Sequence, residues 1–156
     1  MPRRSAGLLV HRERSGEREV LLVHPGGPMW ARRDEGAWSI PKGEYEPGED
    51  PLTAARREFE EELGTPAPDG PVTDLGEIKQ KSGKVVSAWA VAGDLDVTAI
   101  TSNTVEVQWP PRSGKMLEIP EVDRAEWFGI QQAREKINAA QAELLDRLIE
   151  RLGPTE

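Results

Sequence analysis

The chain has 156 residues, a net charge of −8, 37% hydrophobic and 31% charged residues, and no cysteine. That length suits a single domain with its own core, and the lack of cysteine excludes a disulfide framework or a thiolate metal site. No apolar run approaches the roughly 20 residues a bilayer requires, and the acidic balance argues against duplex nucleic acid, whose phosphates demand lysine and arginine.

The start is basic, but residues 6–10 are too short for the apolar core of a signal peptide, so a cytoplasmic location is expected. Residues 6–11 and 19–24 read as strands joined by a polar turn at 12–18. Pro25-Gly26-Gly27-Pro28 then opens a loop carrying Met29, Trp30, Arg32 and Arg33. A short strand is expected at 37–40, ending at Pro41, with a loop over 42–49. Residues 51–63 carry the strongest helix pattern: Asp50 can cap, Pro51 suits the first turn, and Gly64 stops it. Strands are expected at 75–80 and 84–92, the second apolar on both faces. From 93 to 124 the pattern weakens to a long ordered loop with a strand near 105–109. Trp127-Phe128 is an apolar anchor, and helices are expected at 130–137 and 139–152. Strands, an enclosed helix and closing helices make an α+β fold, a mixed sheet covered by helices.

On the 51–63 helix, Glu58, Glu61 and Glu62 lie at relative angles of about 0°, −60° and +40°. They share one face, about 100° from the stripe of Leu52, Ala55, Phe59 and Leu63. Carboxylates this close repel unless a hard cation or a positive partner compensates, and oxygen donors suit magnesium or manganese. Arg57 can turn back to Glu49 or Glu58. An acidic run alone is usually a solvated helix face.

The flanking residues narrow the reading. Gly43, five residues, Glu49, seven residues, Arg57-Glu58-Phe59, one residue, Glu61-Glu62, one residue and Gly64 resemble the signature of the Nudix hydrolases over 22 positions. Thr65 departs from it, standing where the family has an aliphatic packing residue. Trp38-Ser39-Ile40-Pro41-Lys42-Gly43 is similar to the family's entry into that signature, and Glu121-Val122 with Trp127-Phe128 is similar to its late loop.

The resemblance implies one Nudix domain over 1–156, an α/β/α sandwich in which the signature forms loop–helix–loop. It implies metal-dependent hydrolysis of a nucleoside diphosphate linked to a further group, with Mg2+ or Mn2+ held by Glu58, Glu61, Glu62 and a backbone carbonyl at Gly43. Glu49 and Arg57 would orient that set. Glu58, or a late-loop carboxylate for which Glu121 is the candidate, would take the proton from water.

Lys42 is expected to face substrate phosphate. Arg32 and Arg112 are further loop cations suited to a phosphate chain. Trp30 and Trp109 lie in Gly/Pro-rich loops, where stacking on a base competes with core packing as the explanation. The substrate expected is a nucleoside triphosphate or dinucleoside polyphosphate. Removal of oxidised nucleotides of the 8-oxo-dGTP type and a non-catalytic nucleotide sensor are the alternatives. No membrane partner is expected, and a homodimer is compatible with the sequence.

Overall fold

A computed structural model describes residues 3–153; Met1-Pro2 of the basic start and the last three residues of the expected 1–156 domain lie outside them. The elements in chain order are β1 (Arg4–Arg14), β2 (Glu17–Pro25), β3 (Lys42–Glu44), α1 (Pro51–Leu63), β4 (Val72–Lys79), β5 (Val85–Ala92), β6 (Thr104–Gln108), β7 (Met116–Pro120), β8 (Val122–Gly129), α2 (Ile130–Lys136) and α3 (Ala142–Leu152). Single 3-10 turns stand at Val97–Ala99 and Ala139–Gln141.

The main sheet runs β4-β5-β1-β2-β8, with β3 paired to β1. β1 and β5 are parallel and every other pair is antiparallel, so the sheet is mixed. Alternation along the strands feeds two cores. Ala6, Leu8, Val10, Leu21 and Val23 point to the face covered by α1, where they meet Ala55, Phe59 and Leu63. Leu9, Val20, Leu22, Val86 and Ala88 point to the other face and meet Ala133 of α2 with Leu144, Leu145 and Leu148 of α3. Burial on both faces explains why these strands read as nearly continuous apolar runs. The result is the expected α/β/α sandwich.

Helix α1 has its expected bounds. Asp50 accepts from the Thr53 backbone N–H at 3.0 Å, and Gly64 ends the helix at φ 73° with its N–H on the Glu60 carbonyl.

The strands differ more from expectation. The 12–18 turn shrinks to Ser15-Gly16, both at positive φ, because Arg12–Glu19 and Glu13–Arg18 continue the antiparallel pairing as a polar ribbon. Residues 37–40 make only isolated bridges from Trp38 and Ser39, and the strand forms one step later at β3. The 93–124 loop contains a second strand, β7, which pairs with β6 as a separate two-stranded sheet. Trp127-Phe128 belongs to β8.

One irregularity positions the site. β1 and β2 pair only over His11–Val20 to Arg14–Glu17, and then part. β3 takes the vacated edge of β1 at Ser5–Gly7, while Ser39 bridges to Val23 of β2. The divergence leaves a recess between the two strands.

Candidate active site

Each acidic residue of α1 has its own environment. The Glu58 carboxylate lies against Gly43 of β3, so closely that a Cβ there would run into it. Glu61 is exposed. Glu62, 4% exposed, is buried on the inner edge of the helix.

Arg57 gathers the outer carboxylates. It donates to Glu49 from Nε at 3.2 Å and from Nη2 at 3.4 Å, and from Nη1 to Glu58 at 3.0 Å and Glu61 at 3.3 Å. These bonds, that to Glu49 foremost, hold the guanidinium firmly protonated.

Glu62 faces a chamber of about 240 Å3 in the recess, together with Lys42, Gln80, Glu121, Asn138 and Gln141. Burial first, then the charges of Glu121 and Glu58, push the Glu62 carboxyl up to about 9. Burial and neighbouring Glu61 also raise Glu58, against the pull of Arg57. Lys42 is lowered by burial and by Lys84. The chamber thus concentrates negative charge that Lys42, its one lining cation among the described residues, does not balance.

Glu121, half-buried, is tied to α1 through a strap at 101–103. Asn103 Nδ2 donates to the Glu121 carboxylate at 3.1 Å, and the Asn103 carbonyl accepts from the Glu121 N–H. The Asn103 and Thr101 N–H groups in turn bond to the Glu61 and Leu63 carbonyls at the helix end. On the far wall, Gln141 is 1% exposed; its Oε1 accepts from the Ile40 N–H at 3.0 Å and its Nε2 donates to Ser39.

The structure therefore brings Glu62, Glu121 and Lys42 into one chamber, with Glu58, Gly43, Glu61, Arg57 and Glu49 along its α1 side. Trp30 lines both the chamber and a neighbouring apolar slot, which Trp109 also lines. Arg32 and Arg112 are exposed and line neither. A larger open cleft of about 710 Å3, around Arg18, Trp127 and Gln131, includes none of these residues. His24 is fully buried: Nδ1 faces Asp123 at 2.8 Å and Nε2 the Arg33 carbonyl at 2.6 Å, which anchors the loop carrying Trp30.

Among the described residues no three acidic or imidazole groups converge into a ready-made cation site. The donor chemistry nevertheless fits a hard divalent cation: the donors are carboxylate oxygens and a backbone carbonyl, and Glu62 is buried in an excess of negative charge. Loading requires Glu58 or Glu61 to swing off Arg57.

Asn103, Gln141, Asn138 and Gln80 were not singled out from the sequence. Each comes from an element far along the chain and carries no local spacing signal; only the fold brings it to the chamber.

The profile of the NUDIX domain matches residues 1–148. An RNA pyrophosphohydrolase of Rhodospirillum rubrum is 43% identical over 67 residues, covering 41% of this chain and 39% of that one. An octanoyltransferase of Myxococcus xanthus is 32% identical over 138 residues, 87% of this chain and 33% of that one. The chain thus matches between a third and two-fifths of the length of these relatives. Among solved structures, an Ap4A hydrolase of C. elegans superposes with a TM-score of 0.65 at 24% identity, over 95% of this chain and 97% of that one.

Proposed function

Because the chain belongs to the NUDIX family, we propose that it is a Mg2+-dependent pyrophosphohydrolase that cleaves a phosphoanhydride bond in a nucleoside diphosphate derivative. The substrate is a nucleoside triphosphate or a dinucleoside polyphosphate, and this domain works in the cytoplasm without duplex nucleic acid. The observation that carries this reading is the buried Glu62, set with Glu121 and Lys42 in one chamber beside Glu58.

Glu58, Glu61, Glu62 and the Gly43 carbonyl would hold Mg2+, with Mn2+ as a substitute. When bound, the cation offsets charge developing on the phosphate oxygens and lowers the pKa of water. Arg57, fixed by Glu49, orients Glu58 and Glu61 beside the site and would release one of them on loading. Lys42 donates to a phosphate oxygen from inside the chamber. Glu121 takes the proton as water attacks phosphorus and the anhydride P–O bond breaks. Its carboxylate is held by one neutral amide and is accessible, whereas Glu58 is among the groups that would hold the cation. Arg32 and Arg112 stay available for the outer end of a long phosphate chain.

Thermal unfolding and hydrolysis of diadenosine tetraphosphate, both followed across a Mg2+ titration, test the reading. The two should rise together in the wild type and stay flat in Glu62→Gln. A rate that does not depend on Mg2+ contradicts it.

A further inference from the structure

His24 stands behind the chamber, between Val23 and Pro25 of β2, which both line it. Its ring is fully buried and packs edge-on to Trp38 at 5.1 Å. Both ring nitrogens face oxygen: Nδ1 the Asp123 carboxylate at 2.8 Å, and Nε2 the Arg33 carbonyl at 2.6 Å. A backbone carbonyl only accepts hydrogen bonds, and so does a carboxylate. A neutral imidazole has one donor and one lone pair, so it would aim a lone pair at one of these acceptors. The imidazolium donates to both. A buried charge is tolerated when it is paired and hydrogen-bonded, and here the ring is both.

Asp123 reaches the ring because β8 bulges there. His24 pairs with Arg124 and Pro25 with Val122, which leaves Asp123 as the extra residue. A bulge re-aims a side chain that regular alternation would send to the opposite face. Arg124 Nε lies 3.9 Å from the same Asp123 oxygen, and its guanidinium stands over Trp38 at 5.1 Å.

The two groups joined by the ring belong to different walls of the chamber. Glu121 and Val122, immediately before Asp123, line it on the strand side. On the loop side, the Arg33 N–H donates to the Trp30 carbonyl at 3.0 Å, so holding Arg33 holds the turn that brings Trp30 to the chamber. At the start of the same loop the Gly26 N–H bonds to the Glu121 carbonyl at 3.1 Å. The loop is thus tied to β8 twice, once by backbone and once through the His24 ring.

We propose that His24, as an imidazolium bound to both Asp123 and the Arg33 carbonyl, is a positioning residue for the hydrolysis. It acts through these two partners and fixes the loop wall of the chamber against the strand that presents Glu121. Without the tie the two walls part, and a small displacement of the base costs alignment with the attacked phosphorus. This assignment rests on the reading of Glu121 as the base.

Asp123, whose side chain is 34% exposed, is the place to cut the tie with least damage to the core. In the full chain, Asp123→Ala should lower kcat about tenfold with KM nearly unchanged. It should also speed hydrogen exchange over residues 26–36 by about tenfold. Asp123→Asn, whose carboxamide donates to Nδ1 of a neutral ring, should restore both. The ring 15N resonances near pH 7 should show both nitrogens protonated in the wild type and Nε2 alone in Asp123→Asn. Circular dichroism checks that each variant is folded. Wild-type kcat in Asp123→Ala, or a wild-type ring with one protonated nitrogen, overturns the proposal. A wild type that cleaves no anhydride, with exchange and resonances as expected, would contradict the activity and leave the tie standing; Mg2+-dependent turnover with a singly protonated ring would do the reverse.

Discussion

At Glu62 the demands of stability and chemistry oppose each other. A carboxyl whose folded pKa is about 9, against an ordinary 4.5, is favoured in the fold only while protonated. That contribution is complete below about pH 4.5 and is lost as pH rises toward 9, so near pH 8 the fold must take up a proton that the unfolded chain does not hold, which opposes folding. Glutamine keeps the volume and removes the charge. Glu62→Gln should therefore melt higher than wild type at pH 8 in EDTA, by on the order of a few kcal/mol, with the gain shrinking toward pH 5. Its hydrolysis should fall by orders of magnitude. Melting curves across pH with and without Mg2+ check this; equal melting at pH 8 contradicts the assignment of Glu62 as a buried charge.

Asn103 belongs to the same scale. Asn103→Ala removes the only side-chain hydrogen bond to the Glu121 carboxylate among the described residues. Turnover should drop about 10- to 100-fold, as loss of an outer orienting partner does, with KM nearly unchanged. Wild-type turnover would move the base elsewhere. The sequence made Glu58, Glu61, Glu62, Arg57 and Glu49 legible because one helix and its entry loop set their spacing. Asn103 was hidden because its meaning depends on two contacts, one to the end of α1 and one to Glu121.

Helix α1 is the element that holds the carboxylates in place. Asp50→Ala deletes its N-cap and should cost about 1 kcal/mol. Gly64→Ala should cost more, because alanine is strained at φ 73° and its Cβ would meet the Thr101 carbonyl. That same carbonyl belongs to the strap carrying Asn103, so activity should fall beyond the loss of stability. Denaturant melts paired with rates separate the two effects. The bounds of α1 were readable because cap, proline, apolar stripe and glycine all agree. The polar ends of β1 and β2, and β7 and β8, were not. Their charged residues face solvent or pair across strands, so no apolar alternation marks them. Residues 37–40 looked like a strand because they are buried, yet they contact the sheet only through bridges.

At the scale of the molecule, the two cores clamp a sheet that splits where β1 leaves β2, and the split is the chamber. The α+β class was legible in the order of strands, enclosed helix and closing helices, and the sandwich in the resemblance carried by the Gly43–Gly64 signature. The split itself was not, because register is decided by partners distant in the chain. It joins three things: the acidic face of α1 on one layer, Gln141 beside α3 on the other, and Glu121 from the strand edge between them. Replacing Phe59, fully buried under β1, by alanine should cost about 3–5 kcal/mol. It should loosen the seat of α1 on the sheet and be read in both melting temperature and turnover.

The most direct measurement is product analysis of the purified chain with Mg2+ against nucleoside triphosphates, 8-oxo-dGTP, diadenosine polyphosphates, ADP-ribose and NADH, with Glu62→Gln run alongside. The account predicts cleavage at a phosphoanhydride bond, one substrate well ahead of the others, and silence in the variant. Turnover that survives in Glu62→Gln, or no cleavage of any anhydride by the wild type, would contradict it.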